Sequence, residues 1–296
     1  GECQNDPARQ QPEQVSCHGN DKQAAHAVGG MTMYRVFGDG CRYVVHALSA
    51  LALAGALAFP TMAEDGSTLR IEADDLLEWD QEAGVYTASG NAVAIQGDAK
   101  ISGDLLVATY DPESEERSIE KITGTGDVTF VDSQGNARGQ KIVYNVDGSG
   151  YQVTGPSANV EGKNGSISAD SKITLVTNAD ESQHMTATGN AVYINADNER
   201  FSGDIINAYF DAEGALQRIE GEGSVDVRTS EGNTASGNSL VYLAETEKAT
   251  LVGDVSVSDG KSTMQGGRAE VDFVSGNSRL LSDEKNGRVR GVLITK

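Results

Sequence analysis

No cysteine follows Cys41, and the only histidine after His46 is His184. Beyond its N-terminal segment the chain therefore has no disulfide framework, no thiol nucleophile and no Cys/His zinc site. A serine–histidine couple would rest on a single imidazole. Tryptophan occurs once, at Trp79, and aromatic residues make up 5% of the chain. Paired carboxylates for glycoside hydrolysis could be drawn from so many acids, but the aromatic platforms that usually hold sugars are missing. Cations are scarce as well, with 23 Lys and Arg against 44 Asp and Glu and a formal charge of −21. That balance excludes adhesion to nucleic-acid phosphates or to an anionic membrane surface. After residue 63 no apolar run approaches the roughly 20 residues of a spanning helix.

The first part of the chain follows a different grammar. Residues 1–30 are polar and lack methionine, and they read as disordered or as untranslated sequence upstream of a start at Met31 or Met33. Arg35 and Arg42 then precede an apolar run, Tyr43 to Phe59, followed by Pro60 and Thr61-Met62-Ala63. This is the three-part pattern of a secretory signal peptide. Residues 31–63 are expected to be removed after Ala63, placing the mature chain in the periplasm. Five of the 44 acidic and four of the 23 basic residues precede that point, so the remainder carries a net −20.

What is abundant is glycine, 35 residues, set among stretches of period two. Leu69, Ile71 and Ala73 alternate with Arg70 and Glu72, and Val128-Thr129-Phe130, Ile142-Val143-Tyr144 and Val225-Asp226-Val227 continue the pattern. Such alternation predicts half-buried strands. The pairs Gly90-Asn91, Gly97-Asp98, Asp147-Gly148, Glu213-Gly214, Glu231-Gly232 and Asp259-Gly260 are expected to supply the positive φ of tight hairpins. Pro112 to Arg117 and Asp211 to Gly214 read as solvated loops, as does Thr177 to Gln183 with His184 beside it.

One phrase occurs twice. Ala88-Ser-Gly-Asn-Ala-Val-Ala-Ile95, Ile101-Ser-Gly-Asp104 and Ile122-Thr-Gly-Thr-Gly-Asp-Val128 return as Ala187-Thr-Gly-Asn-Ala-Val-Tyr-Ile194, Phe201-Ser-Gly-Asp204 and Ile219-Glu-Gly-Glu-Gly-Ser-Val225. Lys141-Ile-Val-Tyr144 is likewise matched by Ser239-Leu-Val-Tyr242. A self-match this long is a structural repeat. It divides the chain into a first repeat over 64–184 and a second over 185–296, sharing one continuous sheet system.

Asn195 to Glu199 and Gly253-Asp254 are acidic, but they lack the oxygen spacing of calcium loops. No metal, cofactor or catalytic constellation is expected, and the chain does not read as an enzyme. The repeats instead define an inward face. Its predicted members in the first copy are Ile71, Val93, Ile95, Ile101, Val128, Phe130, Ile142 and Tyr144. In the second they are Val192, Ile194, Phe201, Val225, Val227, Leu240 and Tyr242, with Ala94 and Val241 pointing outward. Periodicity leaves two meanings open, a dry core or an apolar groove for hydrocarbon chains.

Leu69-Arg-Ile-Glu-Ala-Asp-Asp75, the Gly-Asn-Ala-Val and Ser-Gly-Asp phrases, and the closing Asn286-Gly-Arg-Val-Arg-Gly-Val-Leu-Ile294 resemble the LptA/OstA-like family of lipopolysaccharide-transport proteins. The resemblance implies an all-β, twisted jellyroll with open edge strands at both ends and a groove that holds lipid A acyl chains. It implies a periplasmic bridge carrying lipopolysaccharide from inner to outer membrane. The implied partners are an LptC-like jellyroll at the inner-membrane end, an LptD-like jellyroll at the outer-membrane end, and further copies joined head to tail. An LptC-like subunit that keeps its N-terminal anchor is the alternative within the family, and a β-scaffold without lipid the alternative outside it.

Overall fold

The computed structural model describes residues 68–282 and 287–294, so the segments read above as an upstream region and a signal peptide lie outside the described residues. Within the described part there are strands, turns and loops but no helix. The first series of strands is β1 (Leu69–Glu72), β2 (Leu76–Asp80), β3 (Val85–Gln96), β4 (Ala99–Tyr110), β5 (Ile119–Val131) and β6 (Gly135–Asn145). Four short strands follow: β7 (Gly150–Thr154), β8 (Ala158–Gly162), β9 (Gly165–Ala169) and β10 (Lys172–Thr177). The long strands then resume with β11 (Gln183–Asn195), β12 (Arg200–Phe210), β13 (Leu216–Arg228), β14 (Thr234–Leu243), β15 (Lys248–Ser258) and β16 (Thr263–Asp272). The chain closes with β17 (Ser278–Leu281) and β18 (Arg290–Val292).

All of them belong to one antiparallel sheet. The short strands work in collinear pairs. β1 and β2 together flank β3, and β7 and β8 together flank β6. β10 and β9 flank β11, and β17 and β18 flank β16. Because β7 pairs with β10 and β8 with β9, the hydrogen-bond ladder runs unbroken from the first repeat into the second. Ile167-Ser168-Ala169-Asp170 takes the place in the second series that Ile71-Glu72-Ala73-Asp74 holds in the first. In both, the Asp backbone N–H donates to a glycine carbonyl at 2.8 Å, Asp74 to Gly90 and Asp170 to Gly189. Asn91 and Asn190 answer by donating side-chain N–H groups to the same two aspartates, at 2.8 and 2.7 Å.

Those contacts lie on a line that crosses the whole sheet. Every long ladder shifts register near its middle, for example between Ser89 and Ala92, Thr125 and Val128, Thr188 and Ala191, and Glu222 and Val225. On alternate strands the shift is made by two consecutive residues at positive φ: Gly90-Asn91, Gly126-Asp127, Gly189-Asn190, Gly223-Ser224 and Gly253-Asp254. Bulges of this kind add a residue and bend the strand. Stacked in register they crease the sheet into two leaves. Gly90-Asn91 is thus not the hairpin turn expected from its composition. It has the positive φ that reading required, but it sits inside β3, because the bulge and the hairpin ask for the same backbone. The remaining five pairs do lie between strands.

The crease folds the leaves face to face. Phe130 pairs with Ala137, and Tyr144 lies seven residues farther along β6. In a flat strand that is about 23 Å at the usual rise per residue, yet the rings of Phe130 and Tyr144 are 4.9 Å apart. The core lies between the leaves.

Candidate functional site

Three rows of side chains face this interior. On the first leaf, cross-strand pairing links Ile71, Ala94, Ile101 and Phe130, passes through Ala137, Val160 and Ile167, and continues to Tyr193, Phe201 and Val227. On the second leaf one row joins Ala88, Leu106, Gly124, Ile142, Val153, Ile173, Ala187, Ile206, Gly221, Leu240 and Leu251. Nearer the leaf tips a third includes Ile122, Tyr144, Tyr151, Leu175, Met185, Ile219 and Tyr242. The interior is apolar from edge to edge and rich in β-branched residues, which fit a pleated surface.

Of the residues predicted to face inward, Ile101, Val128, Phe130, Ile142, Phe201, Val225, Val227, Leu240 and Tyr242 are buried there. Ile71 and Tyr144 are partly buried and packed against them. Val93, Ile95, Val192 and Ile194 are not inside. Val93 pairs with Glu72 and Ser102, Ile95 with Arg70 and Lys100, and Ile194 with Arg200 and Ser166. All four are half-buried on the outer face, as is clear for Val192 opposite Ser202 and Ser168. Their neighbours Ala92, Ala94, Ala191 and Tyr193 point inward, at 0–3% exposure. The error is one residue of register. The ladder decides the face: Ala94 lies opposite the inward Ile71 and Ile101, and Tyr193 opposite the inward Ile167 and Phe201. Ala94 is accordingly an inward residue, and Val241 is outward as expected, at 39% exposure.

His184 also differs from expectation, for it belongs to β11 rather than to a loop. It stacks on Tyr209 with ring centroids 4.4 Å apart, on the outer face. Its ring Nε2 lies 3.3 Å from Asn207 Oδ1, a structural contact. Among the described residues no cluster of three or more His, Cys, Asp or Glu is placed to hold a metal ion.

Packing is uneven along the interior. In the second repeat Phe201, Tyr242 and Phe273 fill the space between the leaves, with Phe201 4.9 Å from Tyr242 and 5.9 Å from Phe273. Beside them Glu199 is 7% exposed. Burial first, and then the charges of Asp197 and Glu247, hold its carboxyl above the usual carboxylate range, against the pull of the Asn195 hydrogen bond. At the join between the repeats, where Phe130 meets Tyr151 with ring centroids 5.3 Å apart, the leaves leave a cavity of ≈ 400 Å³. Phe130, Tyr151, Val160, Ile167, Leu175, Met185, Tyr193 and Phe210 wall it, and Asp132, Gln134, Asn136, Glu161, Asn164, Gln183 and Glu213 stand at its rim. Burial raises the phenols of both Tyr151 and Tyr193. A second cavity of ≈ 300 Å³ opens at the N-terminal end beside Leu69, Ile71, Leu77, Tyr86, Arg117 and Ile119. Of the predicted inward residues only Phe130 reaches the larger cavity and only Ile71 the smaller. Tyr151, Val160, Ile167 and Leu175 lie in a stretch where the repeat is matched only by Val153-Thr154-Gly155 with Leu251-Val252-Gly253, although they show the same alternation, and Tyr193 is hidden by the one-residue difference in facing.

Both ends of the sheet are open among the described residues. β1 and β2 pair only with β3, and β17 and β18 only with β16. At the first edge Leu76, Leu77 and Trp79 are 48%, 57% and 45% exposed, and Val292, Leu293 and Ile294 are exposed at the other. An apolar edge of this kind is a template for strand pairing.

A creased β-jellyroll with an apolar interior and two free edges is the fold class these strands define. The family described as LptA/(LptD N-terminal domain) LPS transport protein matches this sequence twice, over residues 70–181 and 176–277. Together those matches span more than two thirds of the chain, and the chain belongs to that family. Among solved structures, one of those that match is LptH of Pseudomonas aeruginosa, titled the LptA homologous periplasmic component of the conserved lipopolysaccharide transport device. It is 12% identical, with 78% of this chain and 99% of that chain covered, and the TM-score is 0.19. No curated protein matches.

Proposed function

We propose that this chain is a periplasmic, non-enzymatic bridge component that binds lipopolysaccharide through its acyl chains and passes it between membranes. The observation that carries this reading is the apolar interior between the two leaves, continuous across both repeats and widened into a cavity at their join. Each CH₂ kept from water is worth about 0.8 kcal/mol, so such a trough offsets most of the cost of moving hydrocarbon across an aqueous gap. With a formal charge of −21, the protein binds by apolar burial rather than by attraction to lipid phosphate. The exposed edge strands then join an LptC-like jellyroll at one end, an LptD-like jellyroll at the other, or further copies of the chain, by strand addition. Contacts that do not close into a ring lengthen the trough.

The test is photo-crosslinking with the probe at Phe130, Ile167 or Met185 and, as outward controls, at Val93, Ile95, Val192 or Ile194. Lipopolysaccharide adducts confined to the first set support a lipid-bearing interior. Their absence from a folded protein identifies a dry scaffold instead.

A further inference from the structure

The cavity at the join has a feature that the rest of the interior lacks. Its open side is crossed by two side-chain hydrogen bonds from the tips of one leaf to the tips of the other. Asn164, in the turn between β8 and β9, donates its side-chain amide to the carbonyl of Gly214, in the loop between β12 and β13. Gln183, at the start of β11, donates to Gln134 Oε1 at 3.1 Å, across from the loop between β5 and β6. Among the described residues no other side-chain hydrogen bond or ion pair joins the tips of the two leaves. Asn164 is itself held from below, because Tyr193 donates its hydroxyl to the Asn164 backbone carbonyl at 2.9 Å, and Tyr193 is also a wall of the cavity.

We propose that the cavity at the repeat junction is a discrete chamber for one linear acyl chain, and that the Asn164–Gly214 and Gln183–Gln134 bridges are a latch through which the chain enters sideways. This rests on the lipid reading above. The occupant follows from the walls. Protein interiors are close-packed, with few voids larger than a water molecule. An open-sided space of ≈ 400 Å³ with apolar walls and polar groups at its mouth falls within the size range and make-up of small-molecule sites. Met185 adds an adaptable thioether wall. The charges at the rim include Asp132, Glu161 and Glu213 against Lys163, a balance that leaves an anionic headgroup outside the chamber. The amides of Gln134, Asn164 and Gln183 are free to turn toward uncharged hydroxyl or carbonyl groups once the bridges part.

The latch is suited to opening. The Gln183–Gln134 bond is exposed and the Asn164–Gly214 bond half-buried, so water replaces either without leaving an unpaired buried group. Deeper between the leaves close apolar contact holds them, as between Phe201 and Tyr242 or Phe130 and Tyr151, whereas among the described residues the tips at the junction are joined only by these two bonds. The junction is therefore where a chain passes between the tips at least cost.

The experiment measures uptake of radiolabelled dodecanoic acid by the full chain with Cys3→Ser, Cys17→Ser and Cys41→Ser. In that background Gln134→Cys and Gln183→Cys are joined by a short bismaleimide or left unjoined. Joining is expected to slow uptake at least about tenfold. Asn164→Ala with Gln183→Ala is expected to speed uptake and release, by about two- to tenfold per bridge lost. Equal rates in the joined and unjoined proteins overturn the latch, as does failure of the two thiols to be joined. If dodecanoic acid is not taken up while lipopolysaccharide still crosslinks at Met185, the chamber is wrong and the bridge function stands. If neither binds, both fall.

Discussion

Ala94 and Ile95 are neighbours, and the structure gives the same substitution opposite consequences at the two. Ala94 is 1% exposed, between Ile71 and Ile101. An aspartate there has no partner, and an uncompensated buried charge costs about 3–5 kcal/mol. Ile95 is half-buried on the outer face, between Lys100 and an Arg70 that already pairs with Glu72. Ile95→Asp loses about 1 kcal/mol of partial burial and up to about 1 kcal/mol of strand preference. The flanking cations return roughly 0.2–1 kcal/mol. Ala94→Asp is thus expected to cost at least about 1 kcal/mol more than Ile95→Asp, and about 3 kcal/mol at the middle of these ranges. With urea slopes of about 1–3 kcal/mol per molar, the two midpoints separate by about 1 M, followed through the fluorescence of Trp79 stacked on Tyr86 at 5.4 Å. Equal midpoints, or a lower one for Ile95→Asp, would refute the assignment of faces and the list of interior residues with it.

Three further perturbations test other parts of the fold. Glu199 has a raised pKa, so its contribution to stability is present below the ordinary carboxyl value of 4.5 and is lost as pH rises through the folded-state value. Glu199→Gln should leave Tm unchanged near pH 4 and raise it near about pH 7.5, and a Tm gain that does not grow with pH would contradict this. Burial, with Glu199, Glu247 and Asp197 nearby, pushes the Tyr242 phenol up to about 12, and burial raises Tyr151 and Tyr193 as well. Folding therefore loses stability above pH 10, and the phenolate absorbance contributed by these three, read as the difference from Tyr151→Phe, Tyr193→Phe and Tyr242→Phe variants, should rise together with loss of strand circular dichroism rather than ahead of it. At the crease, Gly126 has φ +81° and a Cβ there would overlap the Asp104 carboxylate, whereas Gly148, with φ +78°, faces open space. Gly148→Ala should cost about 1–2 kcal/mol for the left-handed backbone alone, and Gly126→Ala measurably more by urea denaturation.

Much of this protein was legible in the order of its residues. Alternation along Val128-Thr129-Phe130 or Val225-Asp226-Val227 can bury apolar groups only by forming strands, and the doubled Gly-Asn-Ala-Val and Ser-Gly-Asp phrases mark a repeat that shares one sheet. These are local facts, fixed by side-chain period and backbone sterics within a few residues. Three matters were decided by tertiary contact. Gly90-Asn91 bends a strand instead of ending one, because its partners across the ladder, not its own φ, choose between bulge and turn. Ala94 rather than Ile95 faces inward, because pairing with Ile71 and Ile101 on neighbouring strands, not the residue's own bulk, fixes which side of the sheet it takes. The cavity lies at the junction, walled by Tyr151, Ile167 and Met185 from strands far apart in sequence. Only the crease, by folding one leaf onto the other, brings those walls together and lays Asn164 across from Gly214.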